Sequence, residues 1–172
     1  MTRPMLILLT ALIMSASPCL ADWEEASGAY ERGDYATAFR EYRKLAETGD
    51  PSAEASLAYF YEKGLGTKQD YREAARLYHS AVSKDLLIAN LYLGHLYAKG
   101  LGVQKDEAKA VGFFEVVARH GVVEAQEQLG TLLMRGPSSI RNPERAKYWL
   151  RQAADKNSAI AHELLRQLEQ RK

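Results

Sequence analysis

Self-similarity at one period constrains this chain more than any other feature. The stretch "YEKGLGTKQD", Tyr61 to Asp70, returns thirty-six residues later as "YAKGLGVQKD", Tyr97 to Asp106. Segments starting at Pro51, Leu87 and Val123 align Ala53, Ala89, Ala125 and Ala161, and then Leu57, Leu93, Leu129 and Leu165. The register continues through Tyr61, Tyr97 and Leu133, through Gly64, Gly100 and Gly136, and through Asp70, Asp106 and Asn142. It closes on Ala74, Ala110 and Ala146. A fixed period of this size marks stacked supersecondary units that share one core.

Each unit carries two apolar stripes at helical spacing. Ala89, Leu93 and Tyr97 step by four, and Ala110, Phe113, Phe114 and Val117 follow the three-and-four pattern of one buried face. The unit is therefore a helical hairpin. Gly64 and Gly100 stand where a residue of positive φ ends the first helix. Gly66 and Gly102 allow a tight connection, and Asp70 and Asp106 cap the next helix. Glu73, three residues after Asp70, is placed for a capping box. Asn142 followed by Pro143 is a cap with proline at the first helical position. The Gly-x-Gly follows a helix and lacks Gly-Lys-Ser/Thr, so it is a turn and not a phosphate loop. In the N-terminal unit Gly33 is followed at once by Asp34, which makes the same hairpin with a shorter turn.

The pattern of Ala89, Leu93, Gly94, Tyr97, Gly100, Gly102, Val103 and Asp106 resembles the Sel-one-like repeat, a relative of the tetratricopeptide repeat. Ala146, Trp149, Ala153 and Ala154 are similar to that family's second helix. The short-turn first unit resembles a plain tetratricopeptide repeat, and "GPSSIRNP" departs from the family by placing Ser138 at the second glycine. The expected fold is all-α: a right-handed α-solenoid of one tetratricopeptide-like unit, about three Sel-one-like units and a capping helix. The units fall at 22–50, 51–86, 87–122 and 123–158, with the cap at 159–172. The resemblance implies a concave groove lined by the first helices. Carried over residue by residue, it places there Tyr59, Glu62 and Lys63, then Leu91, His95 and Lys99, then Glu127, Thr131 and Arg135. An extended peptide or a helix of a partner protein suits such a surface. The same positions also describe an ordinary solvated helix face.

The first 21 residues read differently. "MTRP" carries one positive charge, "MLILLTALIM" is apolar, and "SPCLA" places small residues before the charged "DWEE". This is the pattern of a signal peptide, cleaved after Ala21. The apolar run is about half of the ~20 residues that a spanning helix needs, so no membrane insertion is expected after cleavage. Lipidation of Cys19 is the alternative, although Pro18 stands where bacterial lipoprotein signals carry a small residue. Cleavage removes the one cysteine, leaving no disulfide and no thiol nucleophile. It also removes Arg3, so 22 of the 23 Lys and Arg residues face 22 acidic ones, and nothing attracts nucleic acid at long range.

A search for chemistry returns no catalytic, cofactor or metal site. His79, His95, His120 and His162 show no i,i+4 pairing and do not recur at one repeat position. Glu24-Glu25 and Asp106-Glu107 lie near helix starts, where negative charge offsets the helix dipole. Ser138-Ser139 lacks the Gly-x-Ser-x-Gly context of a nucleophile. Tyr42, Tyr78, Phe114 and Trp149 fall on the packing stripe of second helices and are expected in the core. Trp23 either plugs the first end of the stack or marks a contact.

The expected function is that of a non-enzymatic, monomeric, exported adaptor or regulator, periplasmic or secreted, that binds a protein or peptide and no nucleic acid. The resemblance also implies two alternatives. One is a β-lactam-binding or weakly hydrolysing secreted protein, as some cysteine-rich members of the family are described. The other is a structural subunit of an envelope machine.

Overall fold

A computed structural model describes residues 18–170, which form nine α-helices and, among the described residues, no strand. The expected signal segment lies outside the described residues as far as position 17. The expected cleavage point after Ala21 falls within the first helix, α1 (Pro18–Glu31). Then come α2 (Tyr35–Glu47), α3 (Pro51–Lys63), α4 (Tyr71–Ser83), α5 (Leu87–Lys99), α6 (Glu107–Arg119), α7 (Val123–Arg135), α8 (Pro143–Ala154) and α9 (Ala159–Glu169). Each helix packs on its predecessor and its successor, and α7 also touches α9. The result is a solenoid of four hairpins closed by a single helix.

Local chemistry sets the boundaries. The carboxylates of Asp34, Asp50, Asp70 and Asp106 accept hydrogen bonds from amides of the first turns of α2, α3, α4 and α6. Asn142 and Ser158 do the same for α8 and α9. The capping box expected of Glu73 does not form. The Asp70 amide already donates to the Tyr61 carbonyl at 2.9 Å, so Glu73 has no open amide to reach, and it pairs with Arg76 instead.

Gly64 and Gly100 end their helices at φ 68° and 71°, as the sequence predicts. The fourth hairpin turns differently. Gly136 is extended at φ −66° and ψ 175°, and the chain closes through Ile140 and Arg141 amides bonded to the Pro137 carbonyl. The entry to the next helix is nonetheless preserved. The Asn142 amide donates to the Leu133 carbonyl, as Asp106 does to Tyr97 and Asp70 to Tyr61. A second left-handed position, unread in the sequence, recurs after every second helix: Gly49, Asp85, Gly121 and Asn157 all have φ between 62° and 84°.

The core is three contiguous clusters joined through Phe39 and Tyr97. Tyr42, Tyr78, Phe114 and Trp149 are all buried in it. The repeat alanines 53, 89, 125 and 161 are fully buried, which lets neighbouring helices approach closely. Two carboxylates interrupt the apolar interior. Glu41 occupies the register position of Leu77, Phe113 and Trp149, and is bonded by Arg40 at 2.8 Å and Lys44 at 2.7 Å. Glu54 accepts from Ser80 and Lys84, both at 2.8 Å, and Lys84 also donates to the Gly49 carbonyl, tying one hairpin to the previous turn. Among the described residues no helix is long and apolar enough to cross a membrane.

Candidate functional site

Where α1, α3 and α5 lie side by side, their exposed faces enclose an open groove of about 500 Å³. Its floor is α3, through Ser52, Ala55, Ser56, Tyr59 and Phe60. Trp23 and Tyr30 of α1 close one side together with the edge of Tyr42, while Leu86, Ile88 and Tyr92 form the other. The rings are held by their neighbours. Trp23 meets Tyr42 edge-on at 5.5 Å, Tyr30 meets Phe60 at 5.8 Å, and Tyr92 stacks on buried Tyr78 at 4.9 Å. Among the described residues, no charged side chain lines the groove. Within it, hydrogen bonding to the Tyr59 hydroxyl raises the pKa of Tyr30, and burial raises those of Tyr42 and Tyr92.

Of the nine residues expected in a groove, the structure brings only Tyr59 into this one. Lys63 and Lys99 are exposed, and the Lys63 ammonium stands 5.5 Å from the Tyr59 ring centre. The remaining six serve the scaffold. Leu91 is 4% exposed and belongs to the core, a correction to its expected place. Glu62 accepts from Tyr78 and Lys63. His95 is hydrogen-bonded to Glu124 at 3.1 Å and packs edge-on to Phe114, joining α5 to α7. The Glu127 carboxylate accepts from Ser158, and Thr131 donates to the Glu127 carbonyl. Arg135 donates to Gln167 of α9.

For Leu91, Glu127 and Glu62 the reason is angular, whereas the other six expected residues are ninth and thirteenth residues of their helices and lie on the open face. An α-helix advances about 100° per residue, so stepping by four rotates the stripe steadily away from its starting direction. Residues 2, 6, 9 and 13 of each first helix share one face, whereas residues 5 and 12 lie about 70–90° off it. Leu91 and Glu127 are fifth residues and Glu62 is a twelfth, so they point towards neighbouring helices. Ser52, Ser56, Ile88 and Tyr92 are second and sixth residues, and these are the groove residues that the spacing missed. A sequence signal existed: Ile88 and Tyr92 are large apolar residues off the buried stripe, and Ile88 is 40% exposed.

Little in the arrangement suggests covalent chemistry. The described residues hold no group of three or more His, Cys, Asp or Glu side chains that could bind a metal. His79 bonds the Tyr97 hydroxyl at 3.1 Å, and burial lowers its pKa. His120 bonds the Val116 carbonyl, and His162 is exposed. Ser138 and Ser139 lie exposed in the irregular turn of the fourth hairpin.

A stack of helical hairpins with an open aromatic groove on its first-helix face defines the class of helical repeat proteins. Within that class the chain belongs to the Sel1 repeat family, whose pattern matches residues 51–86, 87–122 and 123–158. Proteins of this family mediate protein–protein interactions, and the fold is typically a non-enzymatic scaffold. Among solved structures, the Sel1 repeat protein from Oxalobacter formigenes matches with a TM-score of 0.72 and 26% identity, covering 81% of this chain and 58% of that one. The protein c5321, a protective antigen of uropathogenic Escherichia coli with an SLR fold, matches with a TM-score of 0.76 and 29% identity. That match covers 86% of this chain but 32% of the antigen, so this chain spans only part of either relative's length. No curated protein matches the chain.

Proposed function

We propose that this chain is an exported, monomeric adaptor of a bacterial envelope, which captures a segment of a partner protein in the groove between α1, α3 and α5. One observation carries the reading: an uncharged, aromatic-walled groove of about 500 Å³ on the first-helix face. Burying apolar groups of a partner against these rings supplies affinity, and few polar groups are left to desolvate. Ordered aromatics at an open surface are the residue types that carry binding energy. The N-terminal pattern of basic, apolar and small residues supports export, with cleavage after Ala21 and residence in the periplasm.

The test is affinity capture from a native envelope extract, with the protein beside a folded Tyr59→Ala/Tyr92→Ala variant. The reading expects a protein that the first retains and the second loses. Identical capture by both refutes the groove, and recovery of the protein only from the cytoplasmic fraction refutes the location.

A further inference from the structure

The polar groups of the groove are an unusual set for a surface meant to hold a helix. Trp23 contributes an indole N–H, Tyr30, Tyr59 and Tyr92 contribute phenols, and Ser52 and Ser56 contribute hydroxyls, with no carboxylate, amide or guanidinium among them. Ser56 donates within α3, to the Ser52 carbonyl. Among the described residues, the Trp23 indole, the Tyr92 phenol and the Ser52 hydroxyl donate to nothing. A helical ligand satisfies its backbone carbonyls internally and gives such donors few acceptors. A polyproline II segment makes no internal hydrogen bonds, so its carbonyls point outwards along its whole length. Its prolines add flat apolar rings and carry no amide proton that would need an acceptor. A charged segment is disfavoured, since the neutral lining offers a buried charge no partner. An oligosaccharide is disfavoured too, because adjacent sugar hydroxyls are read by forked amides, carboxylates or guanidinium groups, and the groove has none.

A polyproline II segment rises ~3.1 Å per residue, so a short run of residues crosses from the Trp23 side of the groove to the Tyr92 side. Both sides are also rigid in advance: Tyr92 is fixed by its stack on Tyr78 and Trp23 by its edge contact with Tyr42, so little ordering entropy is lost on docking.

We infer that the groove between α1, α3 and α5 is a receptor for a short, uncharged, proline-rich segment of the partner protein. This inference rests on the proposed adaptor function and names the chemistry of what the groove captures. The probe is a fluorescein-labelled peptide of four Pro-Pro-Leu triplets, titrated with the purified protein and followed by anisotropy. A saturable signal is expected, weakened at least about tenfold in Tyr59→Ala/Tyr92→Ala. Ile88→Glu, at an exposed position, is a second variant that leaves the core alone. It places a carboxylate in the neutral groove and should weaken binding similarly, with an unchanged melting temperature.

A labelled amphipathic helical peptide and cellohexaose are run in parallel. If the helical peptide binds and the proline-rich one does not, the inference falls while the groove keeps its place as a protein-binding site. If cellohexaose binds instead, the inference falls in favour of a sugar ligand. If no probe binds, the inference falls, and a simultaneous failure of envelope capture removes the adaptor reading with it.

Discussion

A Cβ atom placed on Gly102 would lie 2.1 Å from the carbonyl oxygen of Tyr71, the first residue of the preceding hairpin's second helix. Gly66 stands in the same relation to Tyr35, at 2.2 Å. The second glycine of each Gly-x-Gly turn is therefore where consecutive hairpins touch through their backbones. Gly102→Ala should cost about 3 kcal/mol, because rigid backbone on both sides must separate. Gly100→Ala should cost only about 1–2 kcal/mol, chiefly for the left-handed conformation, since its Cβ would meet the Lys105 side chain at 3.0 Å. Urea denaturation of both variants decides the ranking, and equal losses would remove the inter-hairpin role.

Leu91 and Tyr92 are adjacent, yet one faces the core and the other the groove. Leu91→Ala should destabilise by about 2–4 kcal/mol. Tyr92→Ala should cost clearly less and act on binding. Thermal unfolding followed by circular dichroism, with the peptide titration alongside, separates the two, and a reversed order would return Leu91 to the groove.

Lys84 donates to Oε1 of Glu54, whose side chain is 10% exposed, and to the Gly49 carbonyl as well, while Glu54 Oε2 is buried with no partner among the described residues. Lys84→Met should destabilise by about 3 kcal/mol, because it leaves the buried carboxylate without its cation. Adding Glu54→Leu should recover much of that loss. A denaturation cycle over the four proteins measures the coupling, and purely additive effects would contradict it.

The hydrogen bond from Lys44 holds the Glu41 carboxyl below the usual carboxylate range, helped by Arg40. A depressed value stabilises the fold above the unfolded-state pKa, near 4.3, and the contribution fades as pH falls through the folded-state value. Glu41→Gln should therefore cost about 1 kcal/mol at pH 7 and little below about pH 3. Stability measured from pH 7 down to 3 tests the convergence, and a constant gap would contradict it.

Among the described residues, Asp85 and Asn157 are the two other than glycine at positive φ. Asp85→Gly should stabilise by about 0.5–1 kcal/mol, as it relieves the left-handed conformation that Gly49 and Gly121 adopt freely at the same register. The midpoint of urea unfolding reports it, and a lower midpoint would show that unfolded-state entropy prevails.

Much of the fold was legible because its causes are local. The caps at Asp34, Asp70, Asp106 and Asn142 each depend on an amide two or three residues away, and the alanine and leucine stripes depend on helical spacing alone. The left-handed series at 49, 85, 121 and 157 was equally present in the sequence, but Asp85 and Asn157 break the identity of its glycines. The groove was much less legible. Three of its nine expected residues, Glu62, Leu91 and Glu127, point off the open face, and Trp23, Tyr30, Ile88 and Tyr92 converge on Tyr59 from separate helices.

The sequence by itself determined that this chain makes helical hairpins, that they repeat every thirty-six residues and that their small residues face one another, since periodicity and short-range hydrogen bonding suffice for each. Only the tertiary structure decided which helix face stays open and why Gly66 and Gly102 can carry no side chain. It alone also decided which cation a carboxylate such as Glu54 meets in the interior. Those outcomes depend on distances between groups some thirty residues apart, and packing, not spacing along the chain, sets such distances.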